Sequence, residues 1–210
     1  MKKSNIIAVI LIFGIYNVNA QSTITKKNKM SNKLEIATLA NGCFWCTEAI
    51  FQRLKGVESV SSGYTGGTIK NPAYREVITG RTGHAEAIEI KFDASIISFQ
   101  EILDVFFSTH DPTTLNKQGY DTGTQYRSGI FYHSENQKEI AEKFIKVLNE
   151  AKVFDNPIVT ELTEFSAFYK AEEYHQNYYN NNKTQGYCIA VINPKLDKFI
   201  KKYKEKLKTN

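Results

Sequence analysis

The chain has 210 residues, and 41% of them are hydrophobic, which is enough for one globular domain with a buried core. Its net charge is +5, and it lacks zinc-finger spacing, a glycine-rich phosphate loop and internal repeats, so nucleic acids and nucleotides are disfavoured as partners. Many lysines lie near the C-terminus, where we interpret them as the solvated face of a helix rather than as a nucleic-acid site.

Residues 1–20 have the pattern of an export signal. Two lysines form its charged start, residues 6–16 are apolar, and Ala20 is a small residue at the expected cleavage point. The apolar run is shorter than the roughly 20 residues that span a bilayer. We therefore expect cleavage near Ala20, export to the periplasm and no stable membrane association afterwards; an uncleaved anchor is the alternative. Residues 21–33 are predicted to be a flexible lead-in, and residues 34–210 a single domain ending in a basic helix.

The stretch Gly-Cys-Phe-Trp-Cys at residues 42–46 follows a predicted strand and begins a predicted helix. Unpaired N–H groups and the dipole at a helix N-terminus stabilise a thiolate, which is the nucleophilic form of cysteine, so Cys43 is a candidate reactive residue. Phe44 and Trp45 would form the wall of a small apolar pocket beside it. The alternative is that the aromatic residues and the thiol belong to the core. Cys46 is close enough to form a disulfide with Cys43 after a local adjustment.

Alternation of apolar residues predicts a strand over residues 84–92 in which Glu86 shares a face with Ile88, Ile90 and Phe92. Burial disfavours the charged form of a carboxyl, so the pKa of Glu86 is expected to lie above roughly 4.3. A carboxylic acid that stays protonated near neutral pH can donate a proton. The alternatives are a structural Glu86 in a salt bridge, or a bulge that changes the parity.

The other elements follow from turn and capping signals. Strands are predicted at 57–64, 74–78, 127–133 and 157–162, and helices at 99–109, 137–151, 171–179 and 194–207; a polar loop covers 113–126 and a tail covers 184–193. Strands alternate with helices, but hairpin-like pairs also occur. We therefore predict an α+β fold, a two-layer sandwich in which helices pack on a mixed sheet.

Several short motifs recur along the chain in an order that resembles the A-type peptide-methionine sulfoxide reductases. They are Gly42-Cys43-Phe44-Trp45, Gly63-Tyr64-Thr65-Gly66-Gly67, residues 71–77, Gly83-His84-Ala85-Glu86-Ala87, His110-Asp111-Pro112, residues 123–128 and Gly186-Tyr187-Cys188. Each motif is weak alone, but the ordered set is highly specific. The resemblance implies a ferredoxin-like fold and no metal or organic cofactor. It does not extend to residues 1–33 or to the basic C-terminal helix.

The resemblance also assigns roles to individual residues. It implies that Cys43 is the nucleophile and that Phe44 and Trp45 hold the S-methyl group of the substrate. The sulfoxide oxygen is expected to bind Glu86, Tyr74 and Tyr126, while Asp121 binds the main-chain amide of the substrate. Transfer of the oxygen leaves methionine and a sulfenic acid on Cys43. The implied activity is the thiol-dependent reduction of methionine S-sulfoxide, bound in oxidised proteins or free, by a monomeric enzyme that a thioredoxin-like partner recycles.

Two cysteines could resolve the sulfenic acid. Cys188 matches the resolving cysteine of other family members, whereas Cys46 lies where many members have glycine. We expect Cys188 to react first, because a mobile tail avoids the strain of a disulfide between helical positions i and i+3. Cys46 is then the alternative, or the partner in a relay.

Two other functions also fit parts of the sequence. The first is a thiol-disulfide oxidoreductase that uses Cys43-x-x-Cys46. The second is a structural zinc site formed by the three cysteines with His84 or His110. Neither gives a role to Glu86.

Overall fold

The structure is a computed structural model that describes residues 34–209. The predicted export signal and lead-in therefore lie outside the described residues. Within that range, no helix is both long enough and apolar enough to cross a membrane.

Eight strands and six α-helices are present in the described residues. The strands are β1 (Leu34–Asn41), β2 (Val57–Thr65), β3 (Ala85–Asp93), β4 (Lys117–Gln118), β5 (Asp121–Thr122), β6 (Ser128–Tyr132), β7 (Glu161–Glu164) and β8 (Phe168–Lys170). The α-helices are α1 (Phe44–Phe51), α2 (Tyr74–Val77), α3 (Phe99–Ser108), α4 (Glu135–Glu150), α5 (Tyr178–Asn181) and α6 (Asn193–Lys202). Short 3₁₀ turns lie at Thr124–Tyr126, Glu173–His175 and Lys204–Lys206, and a π-helical turn at Cys188–Ile192.

Six of the strands form one mixed sheet in the order β7-β6-β1-β3-β2-β8. Neighbouring strands are antiparallel except β6 and β7, which are parallel. Strands β4 and β5 form a separate small hairpin. The predicted α+β fold, with helices packed on a mixed sheet, is confirmed.

The core lies between the sheet and its helices. On β3, Ile88, Ile90 and Phe92 are fully buried while Lys91 is exposed, as the alternation predicts. Helix α3 contributes four fully buried residues, Ile102, Leu103, Val105 and Phe106. Ser98 begins this helix with the predicted capping box, in which its hydroxyl accepts the N–H of Glu101.

Two predicted strands are wrong. Residues 74–78 form the short helix α2, because Pro72 comes just before it and the carboxylate of Glu76 accepts the N–H of Ala73 at 2.8 Å. The strand predicted at 157–162 begins only at Glu161, where it pairs with β6.

The predicted helix at 171–179 and the predicted tail at 184–193 also differ from the structure. Asn177 has a left-handed backbone with φ of 51°, so the first segment is a 3₁₀ turn followed by the short helix α5. The second segment is helical at Cys188–Ile192 and continues directly into α6, and Cys188 is fully buried there. The cysteine that was expected on a mobile tail is therefore part of a packed helical turn.

Candidate active site

The nucleophile predicted from the sequence lies at the junction of the central strand β1 and helix α1. Gly42 makes the turn with φ of 92°, a conformation that favours glycine, and a Cβ there would lie 2.6 Å from the side chain of Gln118. Cys43 is the N-cap of α1, with non-helical dihedral angles of −57° and 121°. Its carbonyl accepts the N–H of Cys46 at 3.1 Å. The two thiols are therefore at the N-cap and N3 positions, where N-cap side chains point towards the N3 residue.

Burial, rather than the helix end, dominates the acidity of Cys43. Only 9% of its surface is exposed, and burial together with the neighbouring Cys46 and Glu86 raises the pKa of its thiol well above the ordinary value. The thiolate expected at this helix start is therefore disfavoured in the substrate-free site. Cys46 differs, because a hydrogen bond from Cys43 lowers its pKa to about 7, with Lys195 and Tyr187 assisting. The pair thus favours a proton on Cys43 and negative charge on Cys46.

Cys188 packs in the same apolar cluster as the two N-terminal cysteines, together with Ala49 and Ile192. Burial raises the pKa of its thiol, and the nearby Cys46 raises it further. All three cysteines of the chain carry free thiols in this structure. The helical turn brings Cys188 beside Cys46 and leaves it without access to solvent.

Glu86 points from β3 into the interior, as the alternation of the strand predicts, and only 2% of its surface is exposed. Its Oε2 accepts the backbone N–H of Phe44 at 3.1 Å, which links the carboxyl to the residue after the nucleophile. Burial raises the pKa of Glu86 to about 8, although the hydrogen bond from Phe44 opposes this change and Asp121 and Cys46 add to it. The carboxyl is therefore mostly protonated at neutral pH.

Seven residues singled out from the sequence line one cavity of about 170 Å³. Its lining consists of Cys43, Phe44, Trp45, Tyr74, Glu86, Asp121, Tyr126 and one further residue, Tyr187. Burial raises the pKa of Tyr74 to about 12 and raises that of Tyr126 as well, so both hydroxyls remain hydrogen-bond donors. The cavity combines a thiol, a protonated carboxyl, two phenol donors and an aromatic wall.

Trp45, the single tryptophan of the chain, is held on two sides. Its indole N–H donates to Nδ1 of His175 at 3.0 Å, and the ring of Tyr178 stacks on it with centroids 3.6 Å apart and planes inclined by 6°. Burial lowers the pKa of His175, which keeps the imidazole neutral and able to accept. Neither His175 nor Tyr178 was predicted as a site residue from the sequence. Only the dense run of tyrosines at 174–179 indicated that this segment could contribute to the site.

Two carboxylates fix the segment that carries these residues. Glu48 of α1, 2% exposed, accepts the N–H groups of Asn177 at 2.8 Å and Tyr178 at 3.3 Å. Glu172 accepts the N–H of Tyr74 and the hydroxyl of Tyr64, each at 2.8 Å. The wall of the cavity is therefore tied both to the helix of the nucleophile and to α2, which carries Tyr74.

Tyr187 closes the cavity on the side of the cysteines. Its hydroxyl donates to Oδ2 of Asp121 at 2.9 Å and also hydrogen-bonds with Cys43 and Cys46. Its ring meets the edge of Trp45 at a centroid distance of 5.8 Å. Tyr187 precedes the buried Cys188, so the same helical turn supplies a wall of the cavity and a thiol behind it.

A larger groove of about 540 Å³ adjoins this cavity and shares Cys43, Asp121 and Tyr187 with it. Cys46 also lines the groove, whereas Cys188 does not. One side is formed by the tip of the β4–β5 hairpin and the other by α6. Of the two candidate resolving thiols, Cys46 is thus the one that lines the groove, although it is largely buried.

The sequence also suggested a zinc site, which the structure contradicts. In residues 34–209, no three His, Cys, Asp or Glu side chains are grouped so that they could hold a metal ion. His84 accepts the N–H of Gly67 at 3.1 Å, and His110 hydrogen-bonds the hydroxyl of Ser128 at 2.8 Å. Both histidines therefore have structural partners away from the three thiols.

Comparison with known proteins agrees with this geometry. The family model described as peptide methionine sulfoxide reductase matches residues 35–208. A relative named peptide methionine sulfoxide reductase MsrA, from Sulfolobus acidocaldarius, is 56% identical over 173 residues, which are 82% of this chain and 97% of that protein. The protein of the same name from Deinococcus radiodurans is 51% identical over 188 residues, which are 90% of this chain and 91% of the relative.

Solved structures give the same result. The reduced form of Mxr1 from Saccharomyces cerevisiae has a TM-score of 0.66 and 37% identity, covering 74% of this chain and 90% of that one. Methionine sulfoxide reductase A of Corynebacterium diphtheriae also has a TM-score of 0.66, with 34% identity, covering 74% of this chain and 78% of the other. With the thiol, the acid and the aromatic wall in one cavity, these matches show that the chain belongs to the peptide methionine sulfoxide reductase family and is an enzyme of the MsrA kind.

Proposed function

We propose that this enzyme reduces the S epimer of methionine sulfoxide, in proteins and as the free amino acid, with Cys43 as nucleophile and Glu86 as acid. The observation that carries the proposal is the small cavity in which the thiol of Cys43 and the protonated carboxyl of Glu86 both face the same space. A sulfoxide needs both groups, because its sulfur becomes electrophilic only when its oxygen is protonated or hydrogen-bonded.

In the first step Glu86 donates its proton to the sulfoxide oxygen while the sulfur of Cys43 attacks the sulfoxide sulfur. Tyr74 and Tyr126 donate hydrogen bonds to that oxygen, since their raised pKa values keep both hydroxyls protonated. The attack forms an S–S bond between Cys43 and the substrate, and the oxygen leaves the substrate sulfur as water, with one proton from Glu86 and one from the thiol. Water then adds to the sulfur of Cys43 and breaks this S–S bond, so methionine departs with the electron pair and Cys43 remains as a sulfenic acid. The methionine sulfur thereby gains the two electrons that the cysteine sulfur loses, and the proton released by the water restores Glu86. Methionine is then the first product.

The rest of the cavity orients the substrate. Phe44 and the fixed ring of Trp45 supply an apolar surface for the S-methyl group, opposite the oxygen donors. Asp121, at the edge of the cavity, accepts the main-chain N–H of the substrate. The oxygen, the methyl group and the main chain of the substrate thus each meet a different part of the cavity wall. This fixed arrangement of the groups around the sulfur supports the selection of a single epimer.

Cys46 resolves the sulfenic acid first in this proposal, and Cys188 acts second. A hydrogen bond from Cys43 lowers the pKa of the Cys46 thiol, which favours its nucleophilic thiolate form. Its attack on the sulfenic sulfur forms the Cys43–Cys46 disulfide and releases water. The extended backbone of Cys43 lessens the strain expected of a pair within a helix.

Cys188 lies behind Cys46 and can take over the disulfide by exchange, which frees the thiol of Cys43. A thioredoxin-like dithiol then reduces the resulting Cys46–Cys188 bond from the groove that Cys46 lines. Two electrons and two protons from that partner complete the cycle. Peptide mapping after one turnover tests the order: a first disulfide between Cys43 and Cys188 would contradict it.

The decisive experiment is dithiothreitol-driven reduction of racemic methionine sulfoxide, followed by chiral analysis of what remains. The parent protein should consume the S epimer alone, and Cys43→Ser should consume neither. A disulfide substrate measured in parallel tests the alternative of a thiol-disulfide oxidoreductase. Reduction of that substrate without consumption of sulfoxide would refute the proposal in favour of the alternative.

We further infer the fold type, the location and the oligomeric state of the enzyme. The order β6-β1-β3-β2 with α1 and α3 as crossovers consists of two interleaved βαβ units, which supports a ferredoxin-like arrangement at the centre of the sheet. The apolar run at residues 6–16 supports export to the periplasm with cleavage near Ala20. A monomer is the proposed state in solution, and light scattering of the purified protein tests it.

A further inference from the structure

We propose that the groove beside the catalytic cavity binds the polypeptide that flanks the oxidised methionine, and that its lysines select segments carrying carboxylate side chains. The inference rests on the proposed function, since it places the methionine sulfoxide in the small cavity. It goes further by assigning a sequence preference to the substrate. The groove is where a chain leaving that cavity would lie.

The groove is continuous with the catalytic cavity. The groove and the catalytic cavity share Cys43, Asp121 and Tyr187, so the two spaces meet at the proposed holder of the substrate's main-chain amide. A volume of about 540 Å³ accommodates several residues of peptide. The two walls of the groove are the hairpin tip and α6. A peptide whose methionine sulfoxide occupies the cavity can therefore continue into the groove between these walls.

The wall of the groove that α6 forms is positively charged. Lys195, Lys198 and Lys202 are spaced i, i+3 and i+7 along α6, so they share one face of the helix, and all three line the groove. None of them forms an ion pair with a carboxylate in the described part of the chain. Like charges at these spacings repel one another, and no such ion pair offsets that repulsion. Other lysines nearby are engaged: Lys206 pairs with Glu101 at 2.5 Å.

Carboxylates of the groove itself do not neutralise this face. Asp111 accepts the N–H of Thr113 at 2.9 Å as well as its hydroxyl, and Asp121 accepts the hydroxyl of Tyr187. Hydrogen bonds from neutral groups leave both carboxylates charged, so the charged lining is three lysines against two aspartates, a net charge of +1 with the cations together on α6. This positive face of α6 attracts an acidic segment.

The rim of the groove opposite α6 carries an exposed aromatic side chain. Tyr120, at the tip of the β4–β5 hairpin, is 99% exposed and lines the groove next to Asp121. A fully exposed tyrosine has an apolar ring and a polar hydroxyl to offer to a passing chain, and such residues are frequent at recognition sites. The lining also includes the rings of the buried Phe199 and Tyr203, beside the polar Ser108 and Thr109. A flanking peptide would thus be held by its backbone and apolar groups while its carboxylates meet α6.

The test uses short peptides in which methionine sulfoxide is flanked on both sides by glycine, aspartate or lysine, with dithiothreitol as the reductant. For the parent enzyme, we expect kcat/KM for the aspartate peptide to exceed that for the glycine peptide about three- to tenfold, and the advantage to shrink as salt is added. Lys198→Glu with Lys202→Glu should reverse the preference, so that the lysine peptide becomes the better substrate. Lys201→Glu with Lys204→Glu, on exposed residues that do not line the groove, should leave it unchanged.

Equal kcat/KM for the three peptides with the parent enzyme would overturn the inference, as would an aspartate preference that survives the Lys198 and Lys202 reversal. Charge-reversal variants that keep the parent's peptide preference with dithiothreitol, and lose turnover only with a thioredoxin-like protein, would also overturn it, because the lysines would then contact the reductant and not the substrate peptide. Turnover of the glycine peptide separates these results from failure of the proposed function, since it requires the catalytic cavity but neither Lys198 nor Lys202.

Discussion

Replacement of Glu86 by Gln should stabilise the protein while it removes most of the activity. The pKa of the Glu86 carboxyl is raised from 4.5 to about 8 by burial. The folded state therefore holds a proton that the unfolded chain releases between these two values. It follows that Glu86 costs nothing well below pH 4.5, and that its penalty grows as the pH rises through the folded pKa.

The size of the effect follows from the difference between the two pKa values. One pKa unit corresponds to about 1.4 kcal/mol, so ionisation of this buried group lowers the free energy of unfolding by roughly 1 kcal/mol at about pH 5 and by roughly 5 kcal/mol at about pH 9. Gln cannot ionise, and its carbonyl oxygen can still accept the N–H of Phe44. The stability of Glu86→Gln relative to the parent should therefore rise by roughly 4 kcal/mol between these two pH values.

Urea denaturation at a series of pH values measures this difference. Glu89→Gln is the matched control, because Glu89 lies on the same strand but is only partly buried. A stability difference between Glu86→Gln and the parent that stays constant from acid to alkaline pH would show that Glu86 is not buried as a protonated acid. Single-turnover rates complete the test: Glu86→Gln should be slower by about 10²- to 10⁴-fold, and the parent should slow as the pH rises above about 8.

Three further perturbations follow from the contacts described above. Glu48→Ala removes the acceptor for the N–H groups of Asn177 and Tyr178; we expect a higher KM and altered emission of the single tryptophan, and unchanged fluorescence would argue against the anchor. Cys46→Ser should complete a first turnover at the parent rate but accumulate sulfenic acid on Cys43, detectable by trapping with dimedone, whereas undiminished steady-state turnover would make Cys46 dispensable. Gly63→Ala places a Cβ 2.5 Å from the carbonyl oxygen of Tyr169, so thermal unfolding should reveal a loss of about 1–3 kcal/mol, and an unchanged midpoint would contradict the close packing of β2 and β8.

The sequence was most informative where one local rule determined the outcome. Side chains alternate across a strand regardless of what packs on it, so the burial of Glu86 and its raised pKa followed from its parity with Ile88 and Ile90. Ser98 and Glu101 likewise marked the start of α3. Both features depend on neighbours within a few residues.

Features that depend on distant contacts could not be predicted in this way. The bond between Trp45 and His175 joins residues 130 positions apart, and no periodicity announces it. The acidity of Cys43 was wrongly expected to follow the helix end, because burial of the thiol, together with Cys46 and Glu86, outweighs that local effect. The strand predicted at 74–78 failed for a local reason, since the cap formed by Glu76 favours a helical turn over an extended chain.

The two edges of the six-stranded sheet determine how readily the enzyme pairs with unfolded chains. Oxidised and partly unfolded chains expose backbone groups that readily pair with an open strand edge. Here both edge strands are short, with four residues in β7 and three in β8. Negative charge at the exposed Glu164 further discourages strand addition along β7. The fold therefore offers unfolded chains little opportunity to coaggregate with it.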